Sequence, residues 1–132
     1  MLENRTIEVW AYNLEAVLAE KLETVISRNV TNTRMRDFYD IYILQKLYGE
    51  QLKKQVLWNA LVATARKRGT LEQINSGDIR EIFDEIESSP VMETLWKTYQ
   101  KNYSYAADIS WHTIMKSICA LYGSILENMY DA

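Results

Sequence analysis

Leu14, Val17, Leu18, Leu22, Val25 and Ile26 recur at the i, i+3, i+4 spacing of one helical face. With Asn13 as N-cap, this stripe predicts a first helix ending at about Arg28. The following NVTNT, Asn29 to Thr33, is rich in side chains that bond back to the backbone and reads as a turn. Thr33 is placed to cap a second helix that runs through about Tyr48 and stops near Gly49. A third helix is expected from about Glu50 to Arg68, with Leu52, Val56, Ala60 and Ala63 inward and Gly69 ending it. Thr70 to Asn75 fits a short turn of helix. The next helix starts at Ser76 or Asp78 and carries Ile79, Ile82, Phe83 and Ile86, until Ser88, Ser89 and Pro90 break it. Pro90 suits the first position of its successor, where Met92, Leu95, Trp96, Tyr99 and Tyr103 share one face. Ser110 caps the last helix, which turns Trp111, Ile114, Met115, Ile118, Tyr122, Ile125 and Met129 inward.

Only Thr6 to Tyr12, TIEVWAY, alternates like a strand. A lone strand cannot satisfy its own backbone groups, so residues 1–12 read either as an extended entry to the first helix or as the edge of a larger, truncated sheet. Four glycines and one proline in 132 residues leave helices almost uninterrupted, and 48% hydrophobic with 25% charged residues is ordinary for a globular chain. The expectation is an all-α fold. Residues 1–132 form a single helical domain, a compact bundle of about six helices with short connections.

The net charge of −3 and the isoelectric point near 5.2 argue against a chain coated in basic surface for nonspecific nucleic-acid binding, while leaving room for a local basic patch. One cysteine, Cys119, forbids an internal disulfide and agrees with a reducing compartment. No run approaches the roughly 18 apolar residues of a membrane span, and the N-terminus lacks the apolar core of a signal peptide. The expected location is cytoplasmic, with no membrane partner.

Two charges break the apolar pattern. Lys21 lies four residues from both Val17 and Val25, inside the first stripe. Asp40 stands among Phe38, Tyr39, Ile41, Tyr42 and Leu44, one turn after Asp37. A carboxylate there is costly to bury unless it is paired and hydrogen-bonded, and Lys21, Arg34 and Arg36 are the available partners. Lys21 either snorkels its ammonium to water or aims it into a cleft to neutralise phosphate. Asp37 near a helix start is favoured by the macrodipole, which leaves Asp40 unexplained. A structural ion pair with Lys21 explains Asp40; the functional alternative has Asp37 or Asp40 orienting the lysine or a reacting group in a nucleotide site.

Other features carry plainer readings. Arg66, Lys67 and Arg68 form a cation cluster at a helix C-terminus or, less simply, a phosphate-binding patch. Trp96, Tyr99, Tyr103, Tyr105 and Trp111 read as core more readily than as a base-stacking platform. Cys119 reads as a small core residue. His112 has no His or Cys partner at ligand spacing, and no metal site is expected within this chain. No phosphate-binding glycine loop, CxxC, HExxH or GxSxG occurs.

The stretch Tyr12 to Leu44 resembles the AbiEii/AbiGii-type nucleotidyltransferase toxins of type IV toxin–antitoxin, abortive-infection systems. The family pattern of an AEKL helix, a closing arginine and R-x-[KR]-D-x-x-D-[IL] is met by Ala19, Glu20, Lys21 and Leu22, then Arg28, then Arg34, Arg36, Asp37, Asp40 and Ile41. KTYQKNYSYAADISW resembles the family's helical tail. The resemblance implies transfer of a nucleoside monophosphate from an NTP, with Mg²⁺, to an acceptor such as a tRNA end. It implies phosphate contact by Lys21, a conserved carboxylate at Asp37, and a site shaped by Asp40, Arg34 and Arg36, with Arg28 beside it. It also implies a metal-bearing α/β domain of which TIEVWAY is the last edge, a cognate antitoxin, and a chain inactive by itself. The contrasting expectation is a non-catalytic helical interaction module. Convergence of Lys21, Asp37 and Asp40 on an open concave surface favours the site; a closed buried pair favours the module.

Overall fold

The helix predicted around Lys21, α1 (Leu14–Arg28), buries Leu14, Leu18, Leu22, Val25 and Ile26 along the expected stripe. The computed structural model describes residues 14–75 and 78–130, with side chains to residue 126. TIEVWAY, the Asn13 cap and the Met129 side chain lie outside the described residues. A short 3₁₀ turn, Asn29–Thr31, follows α1, with Asn29 at φ 50°. Asparagine tolerates this left-handed conformation because its short polar side chain bonds nearby, and Asn29 Nδ2 donates to Glu85 Oε2 at 3.0 Å.

Helix α2 (Met35–Tyr48) buries Met35, Phe38, Ile41 and Leu44. Thr33 does not cap it. Asn32 is buried instead, and its Oδ1 accepts the Arg34 N–H at 3.0 Å, turning the chain into α2 through a side-chain-to-backbone bond. Helix α3 starts later than expected, at Lys54, because Gly49–Gln51 form a 3₁₀ turn and Leu52 is extended. Its inward face is also rotated from the expectation: Leu57, Leu61 and Ala65 are buried, Leu52 and Ala60 are partly buried against the core, and Val56 and Ala63 are exposed. α3 (Lys54–Arg68) has apolar residues on every side, so its periodicity marks no single face. Gly69, at φ 76°, closes it with the Thr70 N–H on Ala65 O and its own N–H on Arg66 O.

The remaining helices are α4 (Leu71–Asn75), α5 (Ile79–Ser88), α6 (Pro90–Asn102) and α7 (Trp111–Tyr130). Ser89 Oγ accepts the Met92 N–H and Pro90 fills the first turn of α6. Ser110 Oγ accepts the Thr113 N–H at 3.0 Å and caps α7 as predicted. α1 packs on α3 and α2, and α7 packs against α2, α3 and α5. Phe38 meets Trp111 edge-on at 5.2 Å, and the indoles of Trp96 and Trp111 satisfy their N–H groups on Ile109 O and Glu87 O. The described residues make a compact all-helical bundle, the expected class, with no strand among them. No helix among them is long and apolar enough to cross a membrane. Cys119, expected in the core, is exposed on α7.

Candidate functional site

Because α1 carries Lys21 between Val17 and Val25, its side chain leaves the helix along the boundary of the buried stripe and is 21% exposed. α2 presents Asp37 in its first turn and Asp40 one turn later, and both side chains are almost entirely buried. The three converge. Lys21 Nζ lies 2.9 Å from Asp40 Oδ2 and 3.5 Å from Asp37 Oδ1. One ammonium thus answers both buried carboxylates, which neither could do without in this setting. Arg34 and Arg36 stand at the outer edge, with Nε 4.0 Å from Asp37 Oδ2 and 3.8 Å from Asp40 Oδ2. Both guanidinium side chains are about two-thirds exposed, so these long contacts leave them largely solvated.

Lys21 and Asp37 open onto a groove of about 510 Å³ whose wall also includes Arg28, Arg34, Glu23 and Arg68. Asp40 does not line the groove; it sits behind Lys21. Arg36 faces away, into a second cleft between the start of α2 and α6. Of the predicted site residues, Lys21, Arg28, Arg34 and Asp37 therefore share the groove wall, while Asp40 and Arg36 flank it. Four cations and three carboxylates line this wall once Glu20 is included, a small positive excess in a chain of net charge −3. Asp40 behind Lys21 offsets that excess, so the recess is polar and charge-balanced, with Arg28 and Arg34 as its cations least engaged by carboxylates. It suits a polar, phosphate-bearing ligand more than an apolar one.

The structure adds a unit that the sequence pattern does not show. Glu23, 1% exposed, takes Arg68 Nη1 at 2.6 Å and the Thr70 hydroxyl at 2.7 Å. The left-handed turn at Gly69 brings Arg68, the last residue of α3, and Thr70, just beyond the glycine, onto the same carboxylate. Arg68 is fixed at the groove's rim and is no longer one of three equivalent C-terminal cations. The available signal was Glu23 itself, a charge on the shoulder of the apolar stripe four residues from Ala19.

His112 Nδ1 lies 2.9 Å from Glu87 Oε2, on an exposed surface apart from the groove. Among the described residues no group of three or more His, Cys, Asp or Glu side chains converges as metal ligands. Asp37 and Asp40 face an ammonium at the place where a cation would bridge them. The donor set described here does not by itself fit a magnesium ion.

The family model described as nucleotidyl transferase AbiEii toxin, type IV TA system, matches residues 1–117. Neither a curated protein nor a solved structure matches the chain.

Proposed function

Since the chain belongs to the nucleotidyl transferase AbiEii toxins of type IV toxin–antitoxin systems, we propose that α1 and α2 form one wall of its nucleotide site. The observation that carries this is the shared groove: Lys21 and Asp37 open into the same recess as Arg28, Arg34 and Arg68. In this reading Lys21, Arg28 and Arg34 receive the phosphates of an NTP, and Asp37 orients Lys21 or the reacting hydroxyl. Asp40 is a positioning residue that holds Lys21, and Arg36 acts from the flank. The transferred group is a nucleoside monophosphate. An acceptor hydroxyl, such as that of a tRNA end, bonds to the α-phosphorus as the bond to the pyrophosphate oxygen breaks. The hydroxyl proton leaves to a base and pyrophosphate departs with the electron pair.

Magnesium supplies charge neutralisation in such transfers, and the carboxylates among the described residues form no cluster that would hold it. A cognate antitoxin, a role in phage defence and a cytoplasmic setting accompany the family reading. We propose further that these 132 residues alone do not catalyse transfer. The test is incubation with labelled NTP and total tRNA: robust labelling of RNA by this chain would sink the proposed silence. For the groove itself, calorimetric titration with NTP is expected to show binding that Arg28→Ala and Arg34→Ala weaken. Unchanged affinity in both variants would remove the groove from the reading.

The alternative is a non-catalytic helical interaction module. The closed contact between Lys21 and Asp40 favours it, because that pair is satisfied without a ligand. Complete absence of NTP binding by the chain, together with strong destabilisation on loss of Lys21, is the outcome expected of the module.

A further inference from the structure

The face of α6 was expected to be buried through Tyr103, yet its rings emerge in sequence from the core. Trp96, 1% exposed, stacks on Tyr99 with ring centroids 5.3 Å apart and planes at 21°. Tyr99 meets Tyr103 at 4.6 Å and 38°. Tyr103 is 46% exposed. Beside it Tyr105, 52% exposed, lies 5.5 Å away and shares a 2.6 Å hydroxyl contact with Tyr99. Tyr39 of α2 packs against Tyr105 at 4.7 Å. The two outermost rings are therefore held from beneath by a fixed aromatic scaffold, while each leaves half of its surface uncovered.

Positive charge borders these rings. The cleft of about 300 Å³ between α2 and α6 is lined by Arg34, Arg36, Leu95, Thr98, Tyr99 and Tyr103. Arg34 also lines the Lys21–Asp37 groove, so the cleft and the groove adjoin at this residue. Rigid exposed rings offer π-faces to unpaired bases, and adjacent arginines hold the phosphates between those bases. A duplex hides its base faces and gains nothing from such rings.

We propose that Tyr103 and Tyr105, with Arg36 and Arg34, form a stacking platform for unpaired nucleotides of a single-stranded RNA segment leading into the Lys21–Asp37 groove. The proposal rests on the reading of that groove as a nucleotide site with an RNA acceptor. Arg34 sits where the strand passes from platform to groove. Tyr105 and Tyr103 supply sequence-tolerant stacking, and specificity for a particular base is not built into hydroxyl-bearing rings alone.

The experiment titrates the full chain at low salt with a short fluorescent oligoadenylate and, in parallel, with a duplex RNA of equal length. Saturable single-strand binding is expected. Tyr103→Ala and Tyr105→Ala are each expected to weaken it by about five- to a hundredfold, the range for loss of one base–aromatic stack. Tyr103→Phe keeps the ring and is expected to retain binding. Arg36→Ala is expected to lower both affinity and its salt dependence. Absence of single-strand binding by the unmodified chain, wild-type affinity in Tyr103→Ala, or equal loss in Tyr103→Phe and Tyr103→Ala would each overturn the platform. The same holds for tyrosine-dependent duplex binding, or for a Tyr103-dependent dimer in sedimentation equilibrium, which assigns the face to a protein surface. Titration of the same variants with NTP separates the two readings. An NTP affinity that falls in parallel with RNA affinity in Tyr103→Ala gives the rings to the NTP base and overturns the RNA assignment. A chain that binds no NTP but binds RNA through its tyrosines overturns the groove's reading and leaves the platform standing.

Discussion

Lys21 Nζ lies 2.9 Å from Asp40 Oδ2, whereas its distance to Asp37 Oδ1 is 3.5 Å. The ammonium is therefore anchored by the carboxylate behind it and leans less on the one that lines the groove. In a partly buried pair the shorter charge-assisted contact carries most of the coupling. A double-mutant cycle of Lys21→Met with Asp40→Asn, followed by urea unfolding, is expected to give about 1–3 kcal/mol of coupling. The cycle with Asp37→Asn is expected to give less. Equal couplings would show that the ammonium is shared evenly and that Asp40 has no special anchoring role.

Glu23 has its carboxylate enclosed, and among the described residues Arg68 is its cationic partner. Arg68→Met leaves that charge with the Thr70 hydroxyl alone, and is expected to cost about 2 kcal/mol, the arginine being partly exposed. Arg66→Met and Lys67→Met, at exposed neighbouring positions, are expected to stay within about 0.5 kcal/mol of the parent. Similar midpoints for all three variants would return Arg68 to the plain role of a helix-end cation.

Gly69 and Gly123 are expected to respond to alanine with opposite signs. A Cβ at either meets nothing within 4 Å, so space does not distinguish them. Gly69 stands at φ 76°, where an L side chain costs about 1–2 kcal/mol. Gly123 lies inside α7, where alanine gains about 0.5–1 kcal/mol over glycine. Thermal melts of the two variants check this, and a stabilised Gly69→Ala would contradict the left-handed closure of α3.

Alkaline pH is expected to loosen the aromatic scaffold. Burial, and then the hydrogen bond with Tyr105, push the Tyr99 phenol well above its ordinary value of 10.0. Burial is also the leading cause that raises Tyr39, followed by the neighbouring Tyr105 and Asp40. A raised folded-state value means that the folded chain holds these protons more tightly than the unfolded chain. Their contribution is therefore fully present below pH 10 and is lost as pH rises above it. Urea unfolding across this range, with tyrosinate absorbance followed in parallel, is expected to show stability falling above pH 10. A rise in stability over that interval would sink the assignment.

The sequence by itself determined the helical class, because few glycines and prolines and a strong 3.6-residue pattern leave little else for α1, α2, α6 and α7 to be. It also singled out Lys21, Asp37 and Asp40, since charges set into apolar stripes are expensive unless they find one another, and that cost is visible without coordinates. Tertiary structure alone decided which way α3 turned, as a helix apolar on all sides takes its inward face from what packs on it. The same packing decided that Glu23, Arg68 and Thr70 meet, because their contact depends on the left-handed turn at Gly69 and on the docking of α3 against α1. It also separated residues that periodicity treats alike. Periodicity puts Tyr103 on the face of the buried Trp96, but α6 ends at Asn102 and the backbone of Tyr103 is extended, so its ring stands half in solvent where Trp96 is sealed.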